Sequence, residues 1–245
     1  MPPFKEHLET SKKRTGREHR QVHEWIDVDP EKKDERHDLV RISKNYQHVL
    51  KAYGKAAARE LLHHITEDIE KKTMEIELLR ETGVPEEAIQ HSLNVAEKAL
   101  EIAARVEIKN DAELIRKGAL FHDIGKSHTY EIEHGKIGAE IAARLGMPSE
   151  VIAIIEKHIR GGMSRGEAES LGLPVKDYAL KTPEEKIAIY SDRLVDIIQD
   201  KIADDEEAEL KFEEILRKYE KYGKNPKTMG RYIKLHREIR DWMKR

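Results

Sequence analysis

The chain has 245 residues, which is enough for one large domain, or for a main domain with a smaller addition, and enough to bury a hydrophobic core. It contains no cysteine, which excludes disulfide bonds, zinc ribbons and thiolate nucleophiles. Hydrophobic and charged residues each make up 38% of the chain, aromatic residues only 5%, and the net charge is −3. This balance favours amphipathic helices over a β-sandwich, so we expect an all-α protein.

The N-terminal residues MPPFKEHLETSKKRTGREHR contain no apolar signal segment. Nowhere in the chain do about eighteen uncharged apolar residues follow one another, as a membrane-spanning helix requires. We therefore expect a cytoplasmic protein with no membrane partner.

Helical periodicity begins near residue 39 and continues to residue 80, with a break expected near Gly54. The stretch ETGVPEE then ends this helical block, because Gly83 is suited to a helix stop and Pro85 to the first turn of the next helix. We place a domain boundary here, with a His-rich helical region of unknown function at 1–82 and the main domain at 83–245.

The main domain begins with PEEAIQHSLNVAEKALEIAARV, whose apolar residues recur at intervals of three and four. Further helices are expected near 111–122, 134–145, 149–158 and 183–200, and two charged helices separated by YGKNPKT should follow. A Gly-rich loop with a short helix should lie between 160 and 178. The pattern is that of a helical bundle.

Candidate metal ligands are spread over these predicted helices: His91, His122, Asp123, His134, His158 and Asp192. A bundle could direct all of them into one cavity. Without thiolates, four imidazoles and two carboxylates suit iron, manganese, nickel, cobalt or zinc better than calcium. Taken singly, each has an ordinary alternative: a lone histidine usually makes a structural hydrogen bond, and Asp192 could pair with Arg193 or cap a turn.

The order and local context of these residues resemble the HD superfamily of metal-dependent phosphohydrolases, in its H…HD…H…H…D form. The resemblance rests on HSLNVAEKALEIA, ALFHDIGKS, EHGKIGAEIAARLGMP, VIAIIEKHIRGG and EEKIAIYSDRLVD, and it extends from about Val84 to the C-terminus. The chain looks closest to a chiefly archaeal group of stand-alone HDIG-domain proteins. The fold implied is an HD-domain helical bundle with an additional N-terminal helical region.

The resemblance also implies a site. Two divalent ions, of iron, manganese, nickel, cobalt, zinc or magnesium, would be bound, the first by His91, His122, Asp123 and Asp192 and the second by His134 and His158, with Asp123 spanning both. A metal-activated hydroxide would hydrolyse a nucleotide, a dinucleotide or a related phosphate ester. Asp123 and Lys126 are the catalytic candidates, and Lys126 and Arg160 are the candidates for binding phosphate. His128 matches no ligand position of the family.

Two alternatives stay open. Some HD proteins with the same ligand order are di-iron oxygenases, although the HDIGK context favours hydrolysis. The other alternative is a non-catalytic module that binds a nucleotide or RNA. Residues 217–245 carry eleven Lys and Arg against three acids, so RNA contact there is open, but an amphipathic stripe indicates an ordinary solvated helix face: Tyr232, Leu235, Ile239 and Trp242.

The region 1–82 holds seven of the thirteen histidines, and we recognise no family in it. On a helix, Glu60, His64 and Asp68 would stand one turn apart, and HEWID and ERHD add His23, Asp27 and His37. This pattern allows a metal site, but the sequence favours a structural network or a partner-binding surface. The region is a candidate for gating the site, for selecting substrate or for forming a homo-oligomer.

Overall fold

The computed structural model describes residues 4 to 243. Over this range the secondary structure is helical, without strands, and the expected all-α fold is confirmed. The α-helices are α1 Phe4–Thr15, α2 Arg20–Asp27, α3 Pro30–His37, α4 Ile42–Tyr53, α5 Lys55–Glu81, α6 Glu86–Arg105, α7 Ala112–Phe121, α8 His134–Arg144, α9 Ser149–Lys157, α10 Arg165–Ser170, α11 Pro183–Gln199, α12 Asp205–Leu210, α13 Phe212–Lys218, α14 Glu220–Gly223 and α15 Pro226–Met243. Short 3-10 helices cover Leu39–Arg41, Ile124–Ser127 and Ile159–Gly161.

The chain divides into two compact units, Met1–Glu77 and Leu78–Arg245. The division lies within α5, a few residues before the boundary that the sequence suggests, and the assignment of 1–82 and 83–245 as domains stays a prediction. Among the described residues, no helix combines the length and the apolar character needed to cross a membrane.

Helices α6, α7 and α11 form the centre of the second unit, and α8 and α9 pack beside α7. Ile102, Ile115 and Ile187 are fully buried between them. Each such side chain stabilises the fold by roughly 1.5–3 kcal/mol relative to an exposed position. The packing of these helices fixes the separations of any side chains that project from their ends.

Local signals in the sequence explain where two of these helices begin. The Asp111 carboxylate accepts hydrogen bonds from the backbone N–H groups of Glu113 and Leu114 at the start of α7. At the start of α11, Thr182 and Glu185 form a reciprocal capping box, and Pro183 occupies the first helical turn. Both helices carry residues of the candidate site.

The C-terminal part is more divided than the sequence indicates. Two charged helices were expected after residue 200, whereas the structure has α12 to α15. Tyr219 adopts an extended conformation that separates α13 from α14, and the Asn225 side chain accepts hydrogen bonds from the N–H groups of Lys227 and Thr228 at the start of α15. Pro85 lies immediately before α6 rather than within its first turn.

The first unit has a small apolar core formed by α2, α4 and α5: Val22, Ile26, Val49, Ala57, Ala58, Leu61 and Ile65. Helix α3, with the sequence PEKKDERH, contains no apolar side chain apart from Pro30. Hydrophobic packing therefore does little to hold α3 in place.

Candidate metal centre

The six residues predicted as ligands all lie at or beside helices of the second unit. His91 projects from α6, His122 and Asp123 directly follow α7, and His134 is the first residue of α8. His158 directly follows α9, and Asp192 lies in the middle of α11. The structure brings all six together, although their positions span about a hundred residues of sequence.

Asp123 occupies the centre of this arrangement. Its Oδ2 atom lies 3.2 Å from His122 Nε2 and 4.0 Å from His91 Nε2. Its Oδ1 atom lies 3.3 Å from His134 Nε2 and 3.5 Å from His158 Nε2. One carboxylate therefore faces two separate histidine pairs, one with each oxygen.

Asp192 belongs to the first pair. Its Oδ1 atom lies 3.1 Å from His91 Nε2 and 3.5 Å from His122 Nε2. Arg193, the alternative partner in the sequence, instead forms an ion pair with Asp196, with an N···O distance of 3.0 Å. In the second pair, the Nε2 atoms of His134 and His158 lie 2.9 Å apart.

The backbone sets the orientation of three imidazoles. The Nδ1–H groups of His122, His134 and His158 face the carbonyl oxygens of Ala119, Glu131 and Ile155 at 2.7, 2.6 and 2.6 Å. A carbonyl oxygen only accepts, so Nδ1 carries the proton and Nε2 of the neutral ring presents a lone pair. His91 follows the same rule, because its Nδ1 donates to Gln199 Oε1 at 2.7 Å. All four Nε2 atoms are thus directed into the shared pocket.

These donors fit metal ions. Bond lengths near 2.1 Å and tetrahedral angles separate two ligand atoms by about 3.4 Å, and most of the separations given above lie between 2.9 and 3.5 Å. Two neutral rings whose lone pairs face each other at 2.9 Å cannot hydrogen-bond to one another, whereas a cation between them would satisfy both.

The electrostatics of the metal-free pocket follow from its two carboxylates. Burial alone would lower the pKa of His122, but Asp123 and Asp192 raise it well above its usual value. Burial alone would likewise raise the pKa of Asp123, but the surrounding histidines, His122 foremost, hold it well below the usual range. Burial lowers the pKa of His158 and prevails over the opposing effect of Asp123. The pKa values of two imidazoles in one pocket are therefore shifted in opposite directions.

Gly125 explains why the turn after Asp123 is tight. A Cβ atom at this position would lie 1.9 Å from the carbonyl oxygen of His134 and 2.7 Å from the backbone nitrogen of Gly138. The 3-10 turn and the start of α8 therefore pack backbone to backbone, which holds His134 beside Asp123.

The two predicted phosphate-binding residues differ in their surroundings. Lys126 lies in the 3-10 helix after Asp123, is half-buried, and places Nζ 2.5 Å from Asp123 Oδ2. Arg160 follows His158 in a left-handed conformation with φ of 56°. Its carbonyl oxygen accepts a hydrogen bond from Arg231 of α15, at 3.1 Å. The role of each in binding substrate stays a prediction.

Sequence reasoning missed three supporting residues. Gln199 orients His91, and Asp196 lies one turn after Asp192, where burial and the Asp192 carboxylate raise its pKa. Arg193 stacks against the rings of Tyr222 and Tyr232, 5.1 and 4.6 Å from their centroids. The i, i+4 spacing of Asp192 and Asp196 is visible in the sequence, but nothing there reveals that Gln199 reaches His91.

The basic C-terminal segment is largely engaged in packing and ion pairs. Tyr232, Leu235 and Ile239 of the predicted apolar stripe are buried, and Trp242 is half-buried. Arg231 pairs with Glu167, Arg237 with Glu213, and Lys221 with Asp200. Lys244 and Arg245 lie outside the described residues. Fewer cations of 217–245 are therefore available to contact RNA than the sequence suggests, and RNA contact there stays a prediction.

The model of the HD domain family matches residues 88–195. An uncharacterized protein of Methanocaldococcus jannaschii is 39% identical over 163 residues, which cover 65% of this chain and 91% of that protein. A likeness in structure to the HD domain of the phosphodiesterase PgpH from L. monocytogenes, with a TM-score of 0.42 and 22% identity over 63% of this chain and 88% of that one, is too distant to bear on function.

Two further relatives are longer than the region they share with this chain. A tRNA (cytidine(56)-2'-O)-methyltransferase of Thermoplasma volcanium is 35% identical over 66% of this chain but only 44% of its own length. A ribonuclease Y of Acidothermus cellulolyticus is 39% identical over 79 residues, 31% of this chain and 16% of that enzyme. The family match, the HD motif and the near-complete coverage of the archaeal relative agree, and the chain belongs to the HD superfamily of metal-dependent phosphohydrolases.

Proposed function

We propose that this protein hydrolyses a phosphodiester or another phosphate ester of a nucleotide, a dinucleotide or RNA at the centre around Asp123. The observation that supports this most strongly is the position of the Asp123 carboxylate, whose two oxygens face two different histidine pairs. A carboxylate so placed can bridge two ions, an arrangement suited to in-line displacement at phosphorus.

We assign one metal position to His91, His122, Asp123 and Asp192, and the other to Asp123, His134 and His158. When bound, the metal ions would activate a water molecule as the nucleophile and neutralise charge on the phosphoryl oxygens. The backbone carbonyls behind three of the rings and Gln199 behind His91 keep each Nε2 directed into the pocket, where it could bind an ion.

Lys126 supplies the nearest mobile positive charge. Its Nζ pairs with Asp123 Oδ2, and its side chain is 22% exposed, so it can reach both the carboxylate and a ligand in the pocket mouth. We propose that it contacts a non-bridging phosphoryl oxygen of the substrate as the ester bond to phosphorus breaks. Arg160 stays a candidate for a second phosphate contact, since its guanidinium matches two oxygens.

The names of two relatives support nucleotides or RNA as the class of substrate. Their names include a ribonuclease and a tRNA methyltransferase, although this chain spans less than half of the length of either. We extend this association with RNA to the present chain only as a class of substrate to be tested first.

The test is metal analysis of the purified protein, followed by an activity panel. The panel contains bis(p-nitrophenyl) phosphate, cyclic dinucleotides, 2′,3′-cyclic nucleotides and a short RNA, each with added manganese, iron, cobalt or zinc. Metal-dependent release of product from at least one ester, and its loss in Asp123→Asn, would support the proposal. A matched control is Asp177→Asn, because Asp177 is an exposed carboxylate and is none of the candidate ligands.

Two outcomes would contradict the proposal. If no ester is turned over while the iron-loaded protein consumes oxygen and shows the spectrum of an oxidised di-iron centre, the oxygenase alternative is correct. If no metal binds and RNA binding depends only on the basic residues of α15, the non-catalytic alternative is correct.

A further inference from the structure

A second group of titratable side chains lies in the first unit, outside the HD domain. We call it the N-terminal cluster; its members are His7 of α1, His23 and Asp27 of α2, His37 of α3, and Glu60, His64 and Asp68 of α5. The three residues of α5 follow one another at intervals of four, so they share one face of that helix. His7, His23 and His64 are at most 1% exposed.

Several of these buried groups lack hydrogen-bond partners among the described residues. They are both oxygens of Asp27, both oxygens of Asp68, both ring nitrogens of His7, and Nε2 of His23. Buried polar groups are almost always satisfied, and an uncompensated buried carboxylate is costly. The cations beside Asp27 Oδ1 are Lys33, with Nζ at 3.5 Å, and His37, whose pKa, against the effect of burial, is raised to about 9 by Asp27 and Asp68, with Nε2 at 3.5 Å. Neither satisfies the Asp27 oxygens with a hydrogen bond, and a more closely bound cation would do so.

Three donors, of Asp27, His37 and His64, lie within 4.8 Å of one another, and Asp68 adjoins both of these rings. The Nε2 atoms of His37 and His64 lie 3.2 Å apart. Oxygens of Asp27 lie 3.5 Å from the first ring and 3.7 Å from the second, and Asp68 Oδ2 lies 3.5 Å from both. These separations match the value of about 3.4 Å expected between ligands of a tetrahedral ion.

The contacts of the ring Nδ1 atoms leave Nε2 of His37 and Nε2 of His64 available to bind a metal ion. His37 Nδ1 donates to the carbonyl oxygen of Lys33 at 2.7 Å, so Nε2 presents a lone pair once the ring is neutral. His64 Nδ1 lies 3.2 Å from His23 Nδ1, and His23 Nε2 lies 3.3 Å from Glu60 Oε1. The Glu60 carboxylate favours a proton on His23 Nε2, although this contact falls short of a hydrogen bond. With the proton there, His23 Nδ1 can accept from His64 Nδ1, which leaves His64 Nε2 unprotonated. This carboxylate–histidine relay is typical of support behind a metal ligand.

We propose that Asp27, His37, His64 and Asp68 bind one divalent transition-metal ion, zinc being the best match, and that this ion joins α2, α3 and α5. Two imidazoles and two carboxylates neutralise a divalent cation and complete a four-coordinate site. Such a closed site is structural rather than catalytic.

The composition of the first unit explains why an ion is needed there. Its apolar core is small, and α3 contributes almost nothing to it. Small units commonly compensate for a limited core with a metal or with disulfide bonds, and this chain has no cysteine. His37, the last residue of α3, would connect that helix to α5 through the ion.

A different grouping, His7, His23 and His64, is also compact enough to hold an ion. It would use Nδ1 of His64, would break the relay to Glu60, and would leave the oxygens of Asp27 and Asp68 without a metal ion. The carboxylates therefore favour the site that we propose. His7 stays beside it, with Nε2 3.6 Å from Asp68 Oδ1.

The first experiment counts metal in the full chain. With His122→Gln and Asp123→Asn introduced to disable the HD centre, we expect one zinc ion to be retained per chain and to be lost on adding His37→Gln or His64→Gln. The control is His63→Gln, because His63 is exposed and adjacent to His64 in sequence. Zinc retained in full by both cluster variants would overturn the proposal.

The second experiment reports on the first unit directly. The chain has two tryptophans, and Trp242→Phe leaves Trp25 of α2 as the only one. We expect a zinc chelator to lower the unfolding midpoint followed by Trp25 fluorescence, and zinc to restore it, except in His37→Gln. A midpoint that does not respond to chelator would overturn the proposal.

If a variant of the N-terminal cluster fails to fold, the proposed metal site can still be tested. In that case cobalt is added to the chain with the intact N-terminal cluster and the disabled HD centre. The strong visible absorption of four-coordinate cobalt would support the site. The weak absorption of six-coordinate or unbound cobalt would overturn it, whatever the fate of the variants.

Discussion

The two histidine-rich sites of this protein use the same local device for different purposes. In both, Nδ1 of an imidazole donates to a backbone carbonyl, and Nε2 faces carboxylates. They differ in how the carboxylates are shared: Asp123 faces two histidine pairs, one with each oxygen, whereas Asp27 and Asp68 both face the single pair of His37 and His64. The comparison shows that histidine and carboxylate donors alone do not identify an active site, and that the sharing of a carboxylate between two sets of donors matters as well.

The largest effect should come from Asp123→Asn, which removes the one carboxylate shared by both histidine pairs. We expect the rate of ester hydrolysis to fall by more than the ~10–100-fold typical of changes behind a metal ligand. The metal content of the N-terminal cluster should be unchanged. Metal analysis with steady-state kinetics, compared with Asp177→Asn, tests both statements, and equal activity of the two variants would contradict the assignment of Asp123.

Gln199→Ala tests the residue that orients a candidate ligand of the HD centre. Gln199 contacts Nδ1 of His91, much as His23, with Glu60 behind it, contacts Nδ1 of His64 in the N-terminal cluster. Removing Gln199 frees Nδ1 of His91 and loosens the ring, so we expect a loss of about 10–100-fold in metal affinity or activity. The measurement is metal affinity by competition with a chelating dye. Gln90→Ala, on the exposed side of the same helix as His91, is the control and should have no effect.

Gly125→Ala tests the backbone contact that positions His134. The new Cβ would overlap the carbonyl oxygen of His134, and we expect a loss of roughly 1–3 kcal/mol in the free energy of unfolding. Gly166→Ala is the matched control, since no atom lies within 4 Å of a Cβ there and α10 should tolerate or prefer alanine. Chemical denaturation measures both, and a neutral Gly125→Ala would show that the turn adjusts without cost.

The smallest effect concerns pH. The raised pKa of His122 means that the metal-free pocket favours a proton on this ring, and a metal ion must displace that proton. Metal affinity should therefore rise with pH, by at most about tenfold per unit for one displaced proton, until the pKa of His122 is passed. Without metal the sign is opposite: the stability that protonated His122 contributes is complete below its unfolded pKa of 6.5 and is lost as pH rises through the folded value.

A titration from about pH 6 to about pH 8, with and without zinc, distinguishes these two trends. The two carboxylates determine how stability changes in acid. The pKa values of Asp123 and Asp192 are lowered, so the stability that their ionised forms contribute is lost only as pH falls through these pKa values. An affinity that is independent of pH would show that His122 is neutral before metal binds.

The helical fold and the convergence of the six HD residues could be anticipated because they depend on local periodicity and on ordered motifs. Gln199 could not, since its contact with His91 joins residues that are 108 positions apart and depends on how α6 and α11 pack. In the first unit, the spacing of Glu60, His64 and Asp68 was visible, but His7 was not singled out, and the sequence alone favoured a structural network or a partner-binding role. The directions in which individual ring nitrogens point favour a metal site instead. These directions depend on the tertiary structure and cannot be read from the sequence.

The guanidinium of Arg193 lies one residue from Asp192, between the rings of Tyr222 and Tyr232. Both tyrosines come from helices beyond residue 195, where the match to the HD family ends. A protein trimmed at that limit would leave this guanidinium without its two aromatic neighbours. The C-terminal helices therefore complete the packing around α11, and we expect a stably folded form of this domain to extend at least as far as Tyr232.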